Sequence, residues 1–224
     1  MLQHPPNEEE SNQIIKKIRK DDLASLAPQS CPYDLSPDSY LRKLFSSFLG
    51  YTPKTRVTSD LVGRLFPPID DEVMVNNYKP DIVSAVREND LTALKTFHQE
   101  DGRSLSCCNR YGETLLHMAC RRGYHSIVSY LVLEARVPTR IADDCGRNVL
   151  HDAFWNRNTQ YEIVDLLTRL DPILLLSCDN RGYTPFSYAR KEHWPVWRQF
   201  LWDRREHMKM ALENDIELVD QFFK

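Results

Sequence analysis

The sequence predicts an all-α solenoid of stacked helix pairs carrying an irregular helical N-terminal extension, and three observations carry that reading. Gly112, Gly146 and Gly182 stand 34 and 36 residues apart. Leu116, Leu150 and Phe186, with Ala119, Ala153 and Ala189, repeat at matching offsets from those glycines. Nine of the 13 prolines fall in the first 80 residues, so that third is broken into short segments while the remainder is not.

Within the proline-rich third, Glu8 to Leu26 carries Ile14, Ile15, Ile18 and Leu26 among charges, the pattern of a mostly solvated helix. Asp38 to Leu49 is better defined. Leu41, Leu44, Phe45, Phe48 and Leu49 follow the i, i+3, i+4, i+7, i+8 spacing of an apolar helical stripe. Pro37 and Asp38 suit its entry and Gly50 its exit. That stripe could cap the stack, dock another protein or form a homodimer contact; capping the first repeat is the expectation, because a short helix persists only when packed.

Composition bounds the function. With 42% hydrophobic and 27% charged residues, 224 residues can bury the core of one or two domains. A net charge of −3 argues against a chain that binds nucleic acid over its whole surface, so any basic site must be local. Met1 to Glu10 holds Pro5, Pro6 and three glutamates where a secretory signal needs an apolar run. The aliphatic runs Tyr130 to Leu133 and Ile173 to Leu176 are far shorter than the roughly 20 residues that span a bilayer. Cys31, Cys107, Cys108, Cys120, Cys145 and Cys178 lack a disulfide framework spacing, which fits free thiols in a reducing compartment, cytosol or nucleus.

The repeated blocks read TLLHMA at Thr114 to Ala119, NVLHDA at Asn148 to Ala153 and TPFSYA at Thr184 to Ala189. They resemble the ankyrin repeat, whose signature T-P-L-H-x-A opens the first of two helices. A degenerate copy precedes them, with Asp81 to Arg87 and Leu91 to Glu100 as its helix pair. The expected organisation is a flexible segment over 1–36, a helical extension over 37–78 packing on the first repeat, repeats over 79–108, 109–142, 143–178 and 179–210, and a tail over 211–224.

Residue types agree with that assignment. The glycines allow the positive φ of each finger turn, while Thr114, Asn148 and Thr184 suit helix caps. Ile127, Val128 and Leu131, with Ile163, Val164 and Leu167, supply the buried stripe of the second helices. In the last copy those positions hold Trp197, Arg198 and Leu201, and Arg198, Arg204, Arg205 and Lys209 are expected to make a polar outer face. Trp194, Trp197 and Trp202 are expected to fill the final interface, and Leu212, Ile216, Val219, Phe222 and Phe223 to form one more amphipathic helix.

No catalytic, cofactor or metal site is expected. The resemblance places His117 and His151 in the signature's own histidine slot, bonding across neighbouring loops, with Ser187 there in the third copy. Cys107, Cys108, His117, Cys120 and His125 include zinc-ligand types, but not at zinc-finger spacing. Neither G-x-S-x-G, G-x-G-x-x-G nor the phosphate-loop motif occurs.

What the resemblance implies is a non-catalytic scaffold or adaptor that binds a protein partner along the finger tips and first helices. The partner-binding strip comprises Arg110, Tyr111, Glu113, Arg121, Arg122, Arg147, Trp155, Asn156, Arg181, Tyr183 and Lys191, with Asp144, Cys145, Asn180 and Glu192 beside them. Arginine with Tyr and Trp is the composition of binding hot spots, and the net positive strip predicts an acidic or acidic-aromatic segment as ligand. Two alternatives remain open: a nucleic-acid-associated regulator using the basic strip, and a zinc- or thiol-dependent enzyme on the same scaffold.

Overall fold

The repeats stack as their spacing predicts, and a segment that precedes them in the chain closes their far end. The computed structural model describes residues 26–28, 32, 34–68 and 72–224. The helix expected over Glu8 to Leu26 and most of the segment 1–36 lie outside the described residues.

Helix α1, Pro37–Leu49, starts where Ser36 Oγ accepts from the Ser39 amide and ends at Gly50, whose φ of 78° lets its N–H reach back to Ser46. Then come a two-residue strand β1 (Arg56–Val57), a 3-10 turn (Thr58–Leu61) and α2 (Glu72–Asn77). The first repeat is α3 (Pro80–Arg87) and α4 (Leu91–Lys95), the latter continued by a π turn to Glu100. The second is α5 (Leu115–Arg122) with α6 (His125–Ser129) and a π turn to Glu134, and the third is α7 (Val149–Trp155) with α8 (Tyr161–Leu170).

After α8 the run Pro172–Leu176 is a fully buried 3-10 turn leading into β2 (Ser177–Cys178). The fourth repeat follows as a 3-10 turn over Pro185–Tyr188 and α9 (Trp194–Asp203). The tail is two helices rather than one, α10 (Arg205–Asn214) and α11 (Ile216–Phe223), which bury Met208, Leu212, Val219 and Phe223. Among the described residues, no helix is long and apolar enough to cross a membrane.

A shared hydrogen-bond scheme fixes the finger of each full repeat. Oδ1 of Asn109 accepts from the Tyr111 and Glu113 amides at 2.9 and 3.1 Å. Oδ1 of Asp143 accepts from Cys145 and Arg147, and that of Asp179 from Arg181 and Tyr183, in the same i+2, i+4 pattern. Neighbouring fingers then join through their backbones, Asp144 N–H to Tyr111 C=O at 2.8 Å and Asn180 N–H to Cys145 C=O at 2.9 Å. Gly146 holds φ at 76°, and a side chain there would also run into Asn180 Oδ1 and Thr58 Oγ1.

The histidines set the register between repeats. His117 Nε2 lies 3.0 Å from the Arg147 carbonyl and His151 Nε2 3.0 Å from the Tyr183 carbonyl. A carbonyl accepts only, so Nε2 carries the proton in both rings and Nδ1 is left to accept from the cap residue's amide, Thr114 or Asn148. Thr114 and Asn148 return a bond to the histidine's own amide, completing a reciprocal cap. In the fourth copy this arrangement fails. Ser187 is too short to reach onward, and the Thr184 hydroxyl donates to Asp38 of α1 at 2.6 Å instead of capping. The expected inner helix is therefore reduced to the turn Pro185–Tyr188.

That same contact corrects the expected position of the extension. Helix α1 packs on the fourth repeat, not the first, lying against α9, α10 and the Pro185–Tyr188 turn. Arg198 is not part of a solvated outer face: it is 4% exposed and donates to the Pro32 and Leu35 carbonyls at 2.8 and 2.9 Å. The physical reason is apolar demand. Helix α1 buries Tyr40, Leu41, Leu44 and Phe45 where it meets α9, α10 and the Pro185–Tyr188 turn, whereas the first repeat turns Asp81, Ser84, Arg87 and Glu88 to water and needs no cover. Of the three tryptophans expected at this interface, Trp197 is buried against Phe154, Phe186 and Phe200, and Trp194 and Trp202 are half-buried.

From α1 the chain runs back along the stack. Val57 pairs with Cys178 and Arg56 with Ser177 in a parallel register, the Thr58 hydroxyl donates to the Gly146 carbonyl at 2.6 Å, and Met74 C=O accepts from Cys108 N–H. The tail meets this segment where Lys54 N–H and Arg56 Nε donate to the Phe223 and Phe222 carbonyls at 2.6 and 2.7 Å.

Two expectations follow. Phe45→Ala in α1 should lower stability by about 3–5 kcal/mol, with hydrogen exchange accelerating at Phe200 and Leu201 before Val83 and Val86; the reverse order would place α1 elsewhere. Burial pushes the His151 ring from its usual value down to about 4. The folded state therefore holds the neutral ring, so its contribution is fully present above about pH 6.5 and is lost as pH falls toward 4, about 3 kcal/mol in all. Chemical unfolding across that window should show the loss in the wild type and a flatter dependence in His151→Gln.

Candidate interaction surface

Tyr111, Trp155 and Tyr183 are exposed by 48%, 57% and 51%, and they are the three aromatic side chains among the exposed large hydrophobic residues described. All three lie on the strip of finger tips and inner-helix ends. Tyr111 and Tyr183 stand on the second and fourth fingers, each beneath a guanidinium from its own finger: Arg110 lies 4.6 Å from the Tyr111 ring centre and Arg181 5.4 Å from that of Tyr183. Trp155 ends α7 and leans on Tyr188 of the next repeat, ring centres 5.6 Å apart and tilted 42°.

Tyr188 is the hub that the sequence did not reveal. Its hydroxyl donates to Asp179 at 2.5 Å and accepts from Arg181 Nη2 at 2.7 Å, while its ring meets His151 edge-on at 5.4 Å. Burial, with the Asp179 bond, raises the Tyr188 hydroxyl. Burial alone would raise the Asp179 carboxyl too, but the bonds from Tyr188 and from the Tyr183 and Arg181 amides outweigh it and hold that group below its ordinary value. Trp155, Tyr188 and Arg181 are thus one linked unit fixed to the finger base.

The arginines divide into two groups. Arg121 is committed to the fold: it makes a two-point contact with the buried Asp152 at 3.1 and 2.9 Å and reaches Glu113 at 2.7 Å, and the Asp152 bond raises its guanidinium well above the usual range. Arg147 is likewise held by buried Asp143. Asn156 serves structure as well, donating to the Arg121 carbonyl at 2.9 Å and drawing the loop after α7 against the end of α5. Lys191 lies 5.7 Å from the Trp194 ring centre. By contrast, exposed Arg122 and Arg157 make no ion pair among the described residues, and Arg181 reaches Asp179 only at 3.4 Å. Arg157 sits in the loop lengthened by two residues, the one sequence signal that set it apart.

Among the described residues, the thiols and histidines are not gathered into one cluster. Among the described residues, Asp143, Asp144 and Cys145 form the one group of three or more metal-ligand types in mutual reach, and the Asp143 carboxylate is already filled by its finger amides and Arg147. Burial pushes the Cys107 thiol up to about 12 and raises that of Cys120, which keeps both protonated and poorly nucleophilic.

Comparison with known proteins agrees with this architecture. Residues 82–174 match the family model of ankyrin repeats in three copies, a span that takes in the degenerate first repeat and stops short of the fourth. Residues 82–174 are thus an array of ankyrin repeats, and such repeats generally mediate protein–protein interaction. A 54-residue stretch is 39% identical to the eye-specific diacylglycerol kinase of Drosophila melanogaster, covering 24% of this chain and 4% of that protein.

The division among the arginines is testable by stability alone. Arg121→Ala should cost about 1–3 kcal/mol because it strands the buried Asp152 carboxylate, and Asp152→Asn added to it should recover part of the loss. Arg122→Ala should stay within about 0.5 kcal/mol of wild type. Denaturant unfolding of the four proteins measures both.

Proposed function

We propose that this chain is a non-catalytic adaptor that binds an extended segment of a protein partner along the concave strip, with Trp155 and Tyr183 as the desolvated anchors and Arg110, Arg122 and Arg181 receiving acidic side chains. The observation that carries the reading is the placement of the exposed aromatics: each stands on the strip, on a backbone locked by finger and histidine bonds. A preformed surface loses little conformational entropy on binding, and aromatic residues beside arginine are where interface energy concentrates.

The expected balance between charge and apolar contact shifts with the structure. Arg121 and Arg147 spend their charge on Asp152 and Asp143, so the positive strip is weaker than the sequence implied and aromatic burial carries more of the affinity. The partner segment is therefore acidic-aromatic rather than simply acidic. The nucleic-acid reading loses the same two cations, and the zinc- or thiol-dependent reading meets protonated thiols in separate places.

Affinity capture with wild-type protein beside Trp155→Ala and an Arg122→Ala/Arg181→Ala pair is the test. Trp155→Ala should weaken the partner by about 2 kcal/mol, roughly thirtyfold, and the arginine pair should weaken it most at low salt. Partners retained equally by all three folded proteins would place the binding surface elsewhere.

A further inference from the structure

The strip has a candidate occupant within the chain itself. Pro5 to Glu10 reads Pro-Pro-Asn-Glu-Glu-Glu, two prolines followed by three acids, and lies outside the described residues. The described chain begins against α1, the helix that meets the fourth repeat. The Leu26 carbonyl accepts from the Tyr40 hydroxyl of α1, Asp38 of the same helix bonds Thr184, and Thr184 opens the turn that carries Tyr188 beneath Trp155. From Leu26 back to Pro6 is a span of up to about 65 Å when extended, against a radius of gyration of about 17 Å for a folded chain of this length. The segment can reach every part of the strip.

The chemistry is complementary. Proline enters a bound state with little entropy to lose, and pairs of exposed aromatic rings are the surfaces that receive it. Exposed Trp155 supplies one such ring, and half-buried Tyr188, tilted 42° to it, supplies the open part of a second. Around them stand cations that the fold leaves available: Arg122 and Arg157 make no ion pair among the described residues, and Asn156, bonded to the Arg121 carbonyl, brings the two to the same end of α5. The Arg181 side chain, 66% exposed, completes the rim. The other proline-acid run, Pro67 to Glu72, is flanked by buried Phe66 and by Met74, whose carbonyl accepts from Cys108 N–H, so its two ends are anchored in the fold.

We propose that Pro5–Glu10 occupies the strip in cis, prolines against Trp155 and Tyr188 and glutamates toward Arg122, Arg157 and Arg181, so that a partner must displace it. This rests on the strip being the partner surface. A tethered segment competes at a high effective concentration, up to the millimolar range for a short linker, so even weak contacts suffice to screen out poor ligands.

The test uses a fluorescently labelled peptide of residues 1–12 and the full-length protein in two forms, wild type and a variant with Pro5→Ala, Pro6→Ala, Glu8→Gln, Glu9→Gln and Glu10→Gln. The variant should bind the peptide at least tenfold more tightly than wild type, and Trp155→Ala in the variant should remove at least tenfold of that affinity with the melting temperature unchanged. Equal binding by both forms, no binding by the variant, or indifference to Trp155→Ala overturns the proposal. Wild-type resistance to the peptide that grows with protein concentration overturns it too, in favour of occupancy between two copies. A captured partner that needs Trp155 but binds both forms equally removes the cis segment and keeps the adaptor reading; a bound peptide with no partner sensitive to Trp155 does the opposite.

Discussion

The stack depends on one side-chain bond repeated between neighbours, a histidine Nε2 donating to the backbone carbonyl of the next finger. Because the ring's other nitrogen accepts from the cap residue's amide, a single imidazole closes the start of its own helix and fixes the next repeat at the same time. Local helix capping and long-range register are thereby one event. When Ser187 replaces the histidine, both are lost together: the helix shrinks to a turn, and Thr184 turns to α1 for its partner. The chain thus substitutes a segment from upstream at the point where its own repeat chemistry stops.

This rigidity decides what the exposed residues can do. An aromatic side chain on a loose loop must be ordered before it binds, but Trp155 leans on Tyr188, which is bonded to Asp179, which in turn holds its finger amides. Charge is handled differently. The aspartates beneath the strip are buried and pair with Arg121 and Arg147, so those two guanidiniums are tied into the scaffold.

The repeats were legible because their signals are local. Gly112, Gly146 and Gly182, the cap residues and the small alanines each report a backbone requirement within a few positions, and even the degenerate first copy shows its helix pair by apolar spacing. The exposure of Trp155 and the two finger tyrosines could also be read, since position in the repeat dictates it. What escaped was partnership at a distance. The stripe of α1 says that one face is covered, not by what, and the pairing of Val57 with Cys178 leaves no local trace. Arg198 misled for a related reason: a charge at a core position signals solvent unless the carbonyls of Pro32 and Leu35 are known to be there. Tyr188 and Asp152, both one step after the histidine slot, were legible only as variation within the motif.

The returning extension also acts as a ruler. It touches the end of the third repeat at Cys178, the finger of that repeat at Gly146 and the end of the first repeat at Cys108. Most solenoids can gain or lose a unit by duplication or deletion, because each unit meets only its neighbours. Here a unit inserted between Cys108 and Gly146 would leave the Met74 attachment one repeat out of step with the other two, and no change within the unit itself could restore it. The number of units between those points is thus matched to the length of a segment that is not itself a repeat, and the two can change only together.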